Sequence, residues 1–182
     1  SFTINNSAGI VINNDIEVTD TLFITNGTVT IESGYSFVSN VKIGNTSNII
    51  AKREISGIVG WRLLSSPLSS TYSDFLDGTI TQGYVGSSEG VTISGDSVQP
   101  NVLYYDETFS GTDNQRFRAP TSAATSLTAG RGLFVFFFDD QSTATIPDAR
   151  YNEPLPDTLQ IQGAENDGDG TNFTFPVTYT AS

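Results

Sequence analysis

The run Ile10-Val11-Ile12-Asn13-Asn14-Asp15-Ile16-Glu17-Val18-Thr19-Asp20-Thr21-Leu22-Phe23-Ile24-Thr25-Asn26-Gly27-Thr28-Val29-Thr30-Ile31 decides the fold class. Its apolar residues fall in pairs two positions apart: Ile10 with Ile12, Ile16 with Val18, Leu22 with Ile24, Val29 with Ile31. A period of two sends one set of side chains to a buried face and the other to water, which is the signature of short strands. The joints Asn13-Asn14, Asn26-Gly27 and, further on, Ser33-Gly34 are turn chemistry, and Val41 with Ile43 continues the pattern. Strands this short at such even spacing predict rungs of a β-solenoid or a β-meander over residues 1–50. Asn26-Gly27 taken alone favours a tight hairpin, and no strict repeat length emerges.

The texture changes near residue 50. Ile49 to Ile55 reads as a strand carrying Lys52, Arg53 and Glu54, and Gly60 to Ser66 as a second, ended by Pro67, which cannot donate to a ladder. Tyr72 to Leu76 can make one helical turn with Ser73 or Asp74 as its N-cap. Val91 to Ile93, Val102 to Tyr105, Arg116 to Arg118, Leu133 to Phe138, Thr143 to Ile146, Leu159 to Ile161 and Phe173 to Tyr179 supply further strands, the most hydrophobic being Leu133 to Phe138. No segment holds a 3.6-residue period over three turns. The expected fold is therefore all-β: a short β-solenoid or meander over residues 1–50, then an antiparallel β-sandwich over 51–182 with roughly eight strands.

Composition agrees. Of 182 residues, 37% are hydrophobic and only 15% charged, too apolar for disorder and too poor in helix formers for a bundle. The net charge is -12 with eight scattered basic residues, which argues against nucleic acid and against an anionic membrane surface as partners. The longest apolar run is too short to cross a bilayer as a helix. Cysteine and histidine are absent, so disulfides, thiolate zinc sites and a Ser-His-Asp triad are excluded. Methionine is absent and the chain begins at Ser1, which reads as a processed or excised piece with no signal peptide remaining.

Gly60-Trp61-Arg62-Leu63-Leu64-Ser65-Ser66-Pro67, followed by Asn101-Val102-Leu103-Tyr104-Tyr105-Asp106-Glu107 and Ala129-Gly130-Arg131-Gly132-Leu133-Phe134-Val135, resembles a β-rich region of large secreted and cell-surface proteins of the Bacteroidota. The resemblance spans residues 20 to 182 and rests on the order of the motifs. It implies an extracellular, cell-surface location, export by type IX secretion, and a non-catalytic role beside neighbouring modules of the same polypeptide or other surface proteins. It does not fix a ligand, because such regions accompany adhesins and polysaccharide-degrading enzymes alike.

Two sets of residues are candidate sites. Glu165, Asn166, Asp167, Asp169 and Asn172 crowd oxygen ligands into a glycine-rich loop suited to Ca2+. The twelfth-position glutamate of an EF-hand is missing, and a polar turn between strands accounts for the same residues. Trp61, Tyr104 and Tyr105 are candidates for a carbohydrate-stacking platform. Tyr104 and Tyr105 must face opposite ways, and Trp61, the only tryptophan and flanked by Leu63 and Leu64, suits a core anchor better. The carboxylate pairs Asp139-Asp140, Asp74 with Asp77 and Asp106-Glu107 suit strand ends better than a glycosidase dyad. Gly130-Arg131-Gly132 lacks the Lys-Ser/Thr ending of a phosphate loop, and four Asn-x-Ser/Thr sequons are expected by chance. Phe2-Thr3-Ile4 and Phe173-Thr174-Phe175 are edge-strand candidates for contact with another chain. The functions that follow are a structural or adhesive module, a carbohydrate-binding module of a polysaccharide-active enzyme, or a protomer of an extracellular filament.

Overall fold

The computed structural model describes residues 1–44, 48–93, 95–138 and 155–165. The chain is all-β, with a single helical turn and one short 3-10 turn among the described residues. Six strands open it: β1 (Phe2–Asn5), β2 (Ile10–Ile12), β3 (Ile16–Asn26), β4 (Val29–Ile31), β5 (Phe37–Gly44) and β6 (Ile49–Ile55). They pair in parallel and alternately, β1 with β3 and β5, β2 with β4 and β6. The chain thus winds between two layers. Asn26-Gly27 does not close a hairpin: β3 and β4 lie in different sheets, and the turn carries the chain from one layer to the other.

The reason is visible at Gly27. Its φ is +88°, and a Cβ there would sit 1.8 Å from the Asn6 carbonyl oxygen of the turn below. Only glycine permits that approach. Successive turns are also tied by bonds between residues 21 apart. Thr25 Oγ1 donates to Ile4 O (3.0 Å), Asn40 Nδ2 to Thr19 O (2.7 Å), and Ser36 N–H to Asp15 Oδ1 (2.9 Å). Ile4, Ile12, Leu22, Ile24, Val29, Phe37 and Ile49 face inward and are buried.

The remainder comprises β7 (Gly60–Ser65), β8 (Leu68–Thr71), the turn α1 (Tyr72–Phe75), the hairpin of β9 (Thr92–Ile93) and β10 (Asp96–Ser97), β11 (Val102–Tyr105), β12 (Phe117–Arg118), β13 (Ser126–Leu127), β14 (Gly132–Phe137) and β15 (Asp157–Glu165). Helix α1 is capped by Thr71, whose Oγ1 accepts from Asp74 N–H (3.2 Å), instead of by Ser73 or Asp74. Thr71 wins because it is the last extended residue before the turn. Strands β12-β11-β14-β7 form a four-stranded antiparallel sheet. The order β13-β8-β15-β6-β4-β2 forms a six-stranded sheet, so β6 pairs in parallel with β4 on one side and antiparallel with β15 on the other. The buried residues of all three large sheets merge into one core, where Val102, Leu133, Val135 and Phe137 join Leu68, Leu127, Leu159 and Ile161.

Tyr72 sits in that core, and burial pushes its phenol up to about 12 against the ordinary value of 10.0, opposed by the Arg131 charge. A phenol whose folded pKa is raised stabilises the fold fully below pH 10.0, and that contribution is lost as pH climbs through about 12. The melting temperature should therefore fall across this alkaline window, and the fall should be smaller in Tyr72→Phe.

Candidate functional site

The alternation of β7 and β14 builds the most distinctive surface. On β14, Leu133, Val135 and Phe137 point into the core, leaving Phe134 and Phe136 on the opposite face. The register sets Phe134 against Leu63 and Phe136 against Trp61. The Trp61 ring stacks on Phe134 with centroids 4.6 Å apart and planes at 12°, and meets Phe136 edge-on at 5.4 Å. Phe136 in turn touches Phe138 at 5.2 Å. From Phe134 the contacts run on to Phe117 (6.2 Å) and from Phe117 to Tyr105 (5.2 Å). Aromatic side chains thus touch in sequence across all four strands, on a face where Trp61 is 40% and Leu63 81% exposed. Contiguous exposed apolar surface of this kind is a candidate contact site.

Trp61 is consequently not the core anchor that its Leu-rich neighbourhood suggested. Strand parity places Arg62 and Leu64 inward and Trp61 and Leu63 outward. Arg62 holds its inner position by donating to Ile58 O (2.6 Å) and Trp61 O (3.2 Å).

The three stacking candidates do not form one platform. Trp61 and Tyr105 share the aromatic face, linked through Phe134 and Phe117. Tyr104 faces the other way, with the Arg131 guanidinium 4.6 Å above its ring. It lines a polar hollow of about 430 Å3 together with Tyr72, Asp106, Thr108, Thr128 and Arg131. Thr108 holds the Asp106 carboxyl below its ordinary range by donating from Oγ1 (2.7 Å) and N–H (3.0 Å), with the Arg131 charge adding to the effect. Asp106 is thereby committed to a local turn, as its position at a strand end suggested. Arg131 also donates to Tyr105 O (3.3 Å).

Phe117, Phe134 and Phe136 complete the aromatic face and were not among the sequence candidates. In an unbroken apolar run such as Leu133 to Phe138 the sequence does not say which residues face out; the pairing with β7 does. Glu165 ends β15, its backbone opposite Leu68, while Asn166, Asp167, Asp169 and Asn172 lie outside the described residues, as do Asp139 and Asp140. Among the described residues no cluster of three or more His, Cys, Asp or Glu could hold a metal, and no helix is long and apolar enough to cross a membrane. Comparison with protein families, with characterised proteins and with solved structures returns no match to this chain.

Proposed function

We propose that this chain is a non-catalytic structural and adhesive module of a large exported bacterial surface protein, working at the cell surface, with the aromatic face of the four-stranded sheet as its contact surface. One observation carries the reading: touching rings from β7, β14, β12 and β11 lie on a solvent-facing side, where burying them against a partner would remove a large apolar area from water. The absence of histidine and cysteine removes imidazole and thiol chemistry from the options.

A second reading, binding of a polysaccharide, is favoured by the shared exposure of Trp61 and Tyr105. Sugar rings present C–H faces that stack on such side chains.

The test is the double variant Trp61→Ala with Phe134→Ala. It removes half-exposed rings, so it should fold, with a stability loss on the order of 1–2 kcal/mol. Retention on cells or on immobilised surface proteins should fall at least roughly tenfold, about 1.4 kcal/mol. Undiminished retention by the folded variant would end the proposal. Pull-down on insoluble cellulose, chitin and alginate separates the two readings: capture that depends on Trp61 selects the polysaccharide, and failure to bind any of them removes it.

A further inference from the structure

A cleft of about 730 Å3 lies between the parallel coil and the antiparallel sheet. One wall is the turn from Gly34 to Phe37, leading into β5; the other is β7, through Leu63, Leu64 and Ser65. Its floor is apolar, formed by Ile31, Ala51, Leu159 and Ile161 from adjacent strands β4, β6 and β15 of the six-stranded sheet, with Phe75 at one end.

Among the described residues the β7 wall is an open sheet edge. Strand β7 is last in its sheet. Phe136 N–H donates to Asn101 O (2.8 Å) and Phe136 C=O accepts from Asn101 Nδ2 (3.0 Å), so Phe136 directs its backbone groups away from β7. Its partner Trp61 is therefore in a non-hydrogen-bonded pair, and counting in twos so are Leu63 and Ser65. Their N–H and C=O groups point out of the sheet, on the side of the cleft that both residues line. Trp61 O, in the same outward set, is taken by the Arg62 guanidinium (3.2 Å); among the described residues Leu63 and Ser65 have no such partner.

The cleft also holds an unmatched positive charge. In the β6–β15 pairing Arg53 stands opposite Leu159, on the same face as the buried Ile49 and Ile55. It projects from the same face as those core residues but is itself exposed, at the mouth of the cleft. It makes no hydrogen bond or ion pair with any described residue, whereas the adjacent Lys52 is bound to Glu32 (2.9 Å). The Asp15 carboxylate on the far wall accepts from Ser36 N–H and Oγ, both at 2.9 Å. An exposed guanidinium without a partner among the described residues, in a chain of net charge -12, is complementary to a carboxylate brought by another chain.

We propose that the cleft accepts an extended segment of another polypeptide, which adds as a strand to the edge of β7, lays its inward apolar side chains on the half-buried Ile31, Ala51 and Leu64, and is read by Arg53 through an acidic side chain. Main-chain bonds supply affinity and the guanidinium supplies selection, the division of labour of strand addition. The site borders the aromatic face at Leu63 but is distinct from it, because it uses the outward main chain of Leu63 and Ser65 and the inner face of the sheet.

The probe is a fluorescently labelled heptapeptide of alternating threonine and valine with a central aspartate, compared by anisotropy with its central-lysine counterpart. The aspartate peptide should bind at least roughly tenfold tighter than the lysine peptide. Leu63→Pro removes an outward N–H without touching the β14 ladder, so the variant should keep its melting temperature while peptide binding falls by roughly tenfold or more. Arg53→Gln should bring the two peptides to about equal affinity. If Leu63→Pro fails to fold, a peptide N-methylated at alternate amides serves instead on the native chain, and its loss of binding supports the proposal. Equal binding of the two peptides to the native chain, or unchanged binding in folded Leu63→Pro, would overturn it. Self-association abolished by Leu63→Pro, without peptide binding, would assign the edge to a second copy and also overturn it.

Discussion

Phe137→Asp is expected to abolish folding, whereas Phe136→Asp, one residue earlier, leaves a folded protein. Phe137 is 1% exposed and packs in the core common to all three large sheets. Replacing it removes a large side chain, worth about 3–5 kcal/mol by itself, and puts a carboxylate in its place. The groups around that position, Thr79, Ile80, Leu155 and Asp157, offer the new charge no cation. An unpaired buried carboxylate adds a further penalty of several kcal/mol, so the sum approaches the ~5–15 kcal/mol total stability of a domain. Phe136 points outward and loses only its ring contacts with Trp61 and Phe138, a cost on the order of 1–2 kcal/mol. Far-ultraviolet circular dichroism of the two purified variants checks the contrast. Two folded proteins, or two unfolded ones, would mean that the parity of β14 is misassigned.

Asn101→Ala is expected to be the most damaging loss of a single polar side chain. Asn101 is 3% exposed. Its Oδ1 accepts from Gln82 N–H (2.8 Å), and its Nδ2 donates to Ile80 O (2.8 Å) and Phe136 O (3.0 Å). The side chain thus stitches the segment around residue 81 to the start of β11 and to β14. Alanine strands three backbone groups in a site closed to water, each at about 1–3 kcal/mol, so a loss of roughly 3–5 kcal/mol is expected by urea unfolding. Asn101→Asp should do no better, because it turns a carboxylate toward two carbonyl oxygens. A loss below about 1 kcal/mol would show that water replaces the amide.

Much of the strand inventory is legible in the sequence, and the reason is local. β6 (Ile49–Ile55) and β11 (Val102–Tyr105) coincide with the segments expected from apolar alternation, and β7 stops before Pro67 as a missing donor requires. The spacing of the coil, about 20 residues with partners 19 to 21 apart, is not legible, because parallel stacking asks only that inward positions be apolar and turn positions permit a close approach. Ile4 and Ile24 share a register column with Gly44, which breaks the apolar repeat. Glycine at position 44 is required for another reason: its φ is +104°, and a Cβ would lie 2.3 Å from Ile24 O. Trp61 and Tyr105 were readable as aromatic candidates from residue type. The face they share was not, since it depends on which side of β14 packs inward. Arg53 is solvent-facing as a cation in an alternating strand suggests, and only the pairing with Leu159 shows that it shares a face with the buried Ile49 and Ile55.

Strand β6 is the hinge pin of the architecture. A cut at residue 50 would pass through it, leaving the coil without its last turn and β15 without the neighbour that its Asp157-to-Gly163 run pairs with. The two halves should therefore melt as a single cooperative unit. For a molecule fixed at one end and pulled at the other, tension entering β6 at Ile49 and leaving β15 past Gly163 loads the same end of this antiparallel ladder, so it should open pair by pair from that end instead of resisting as one sheared block.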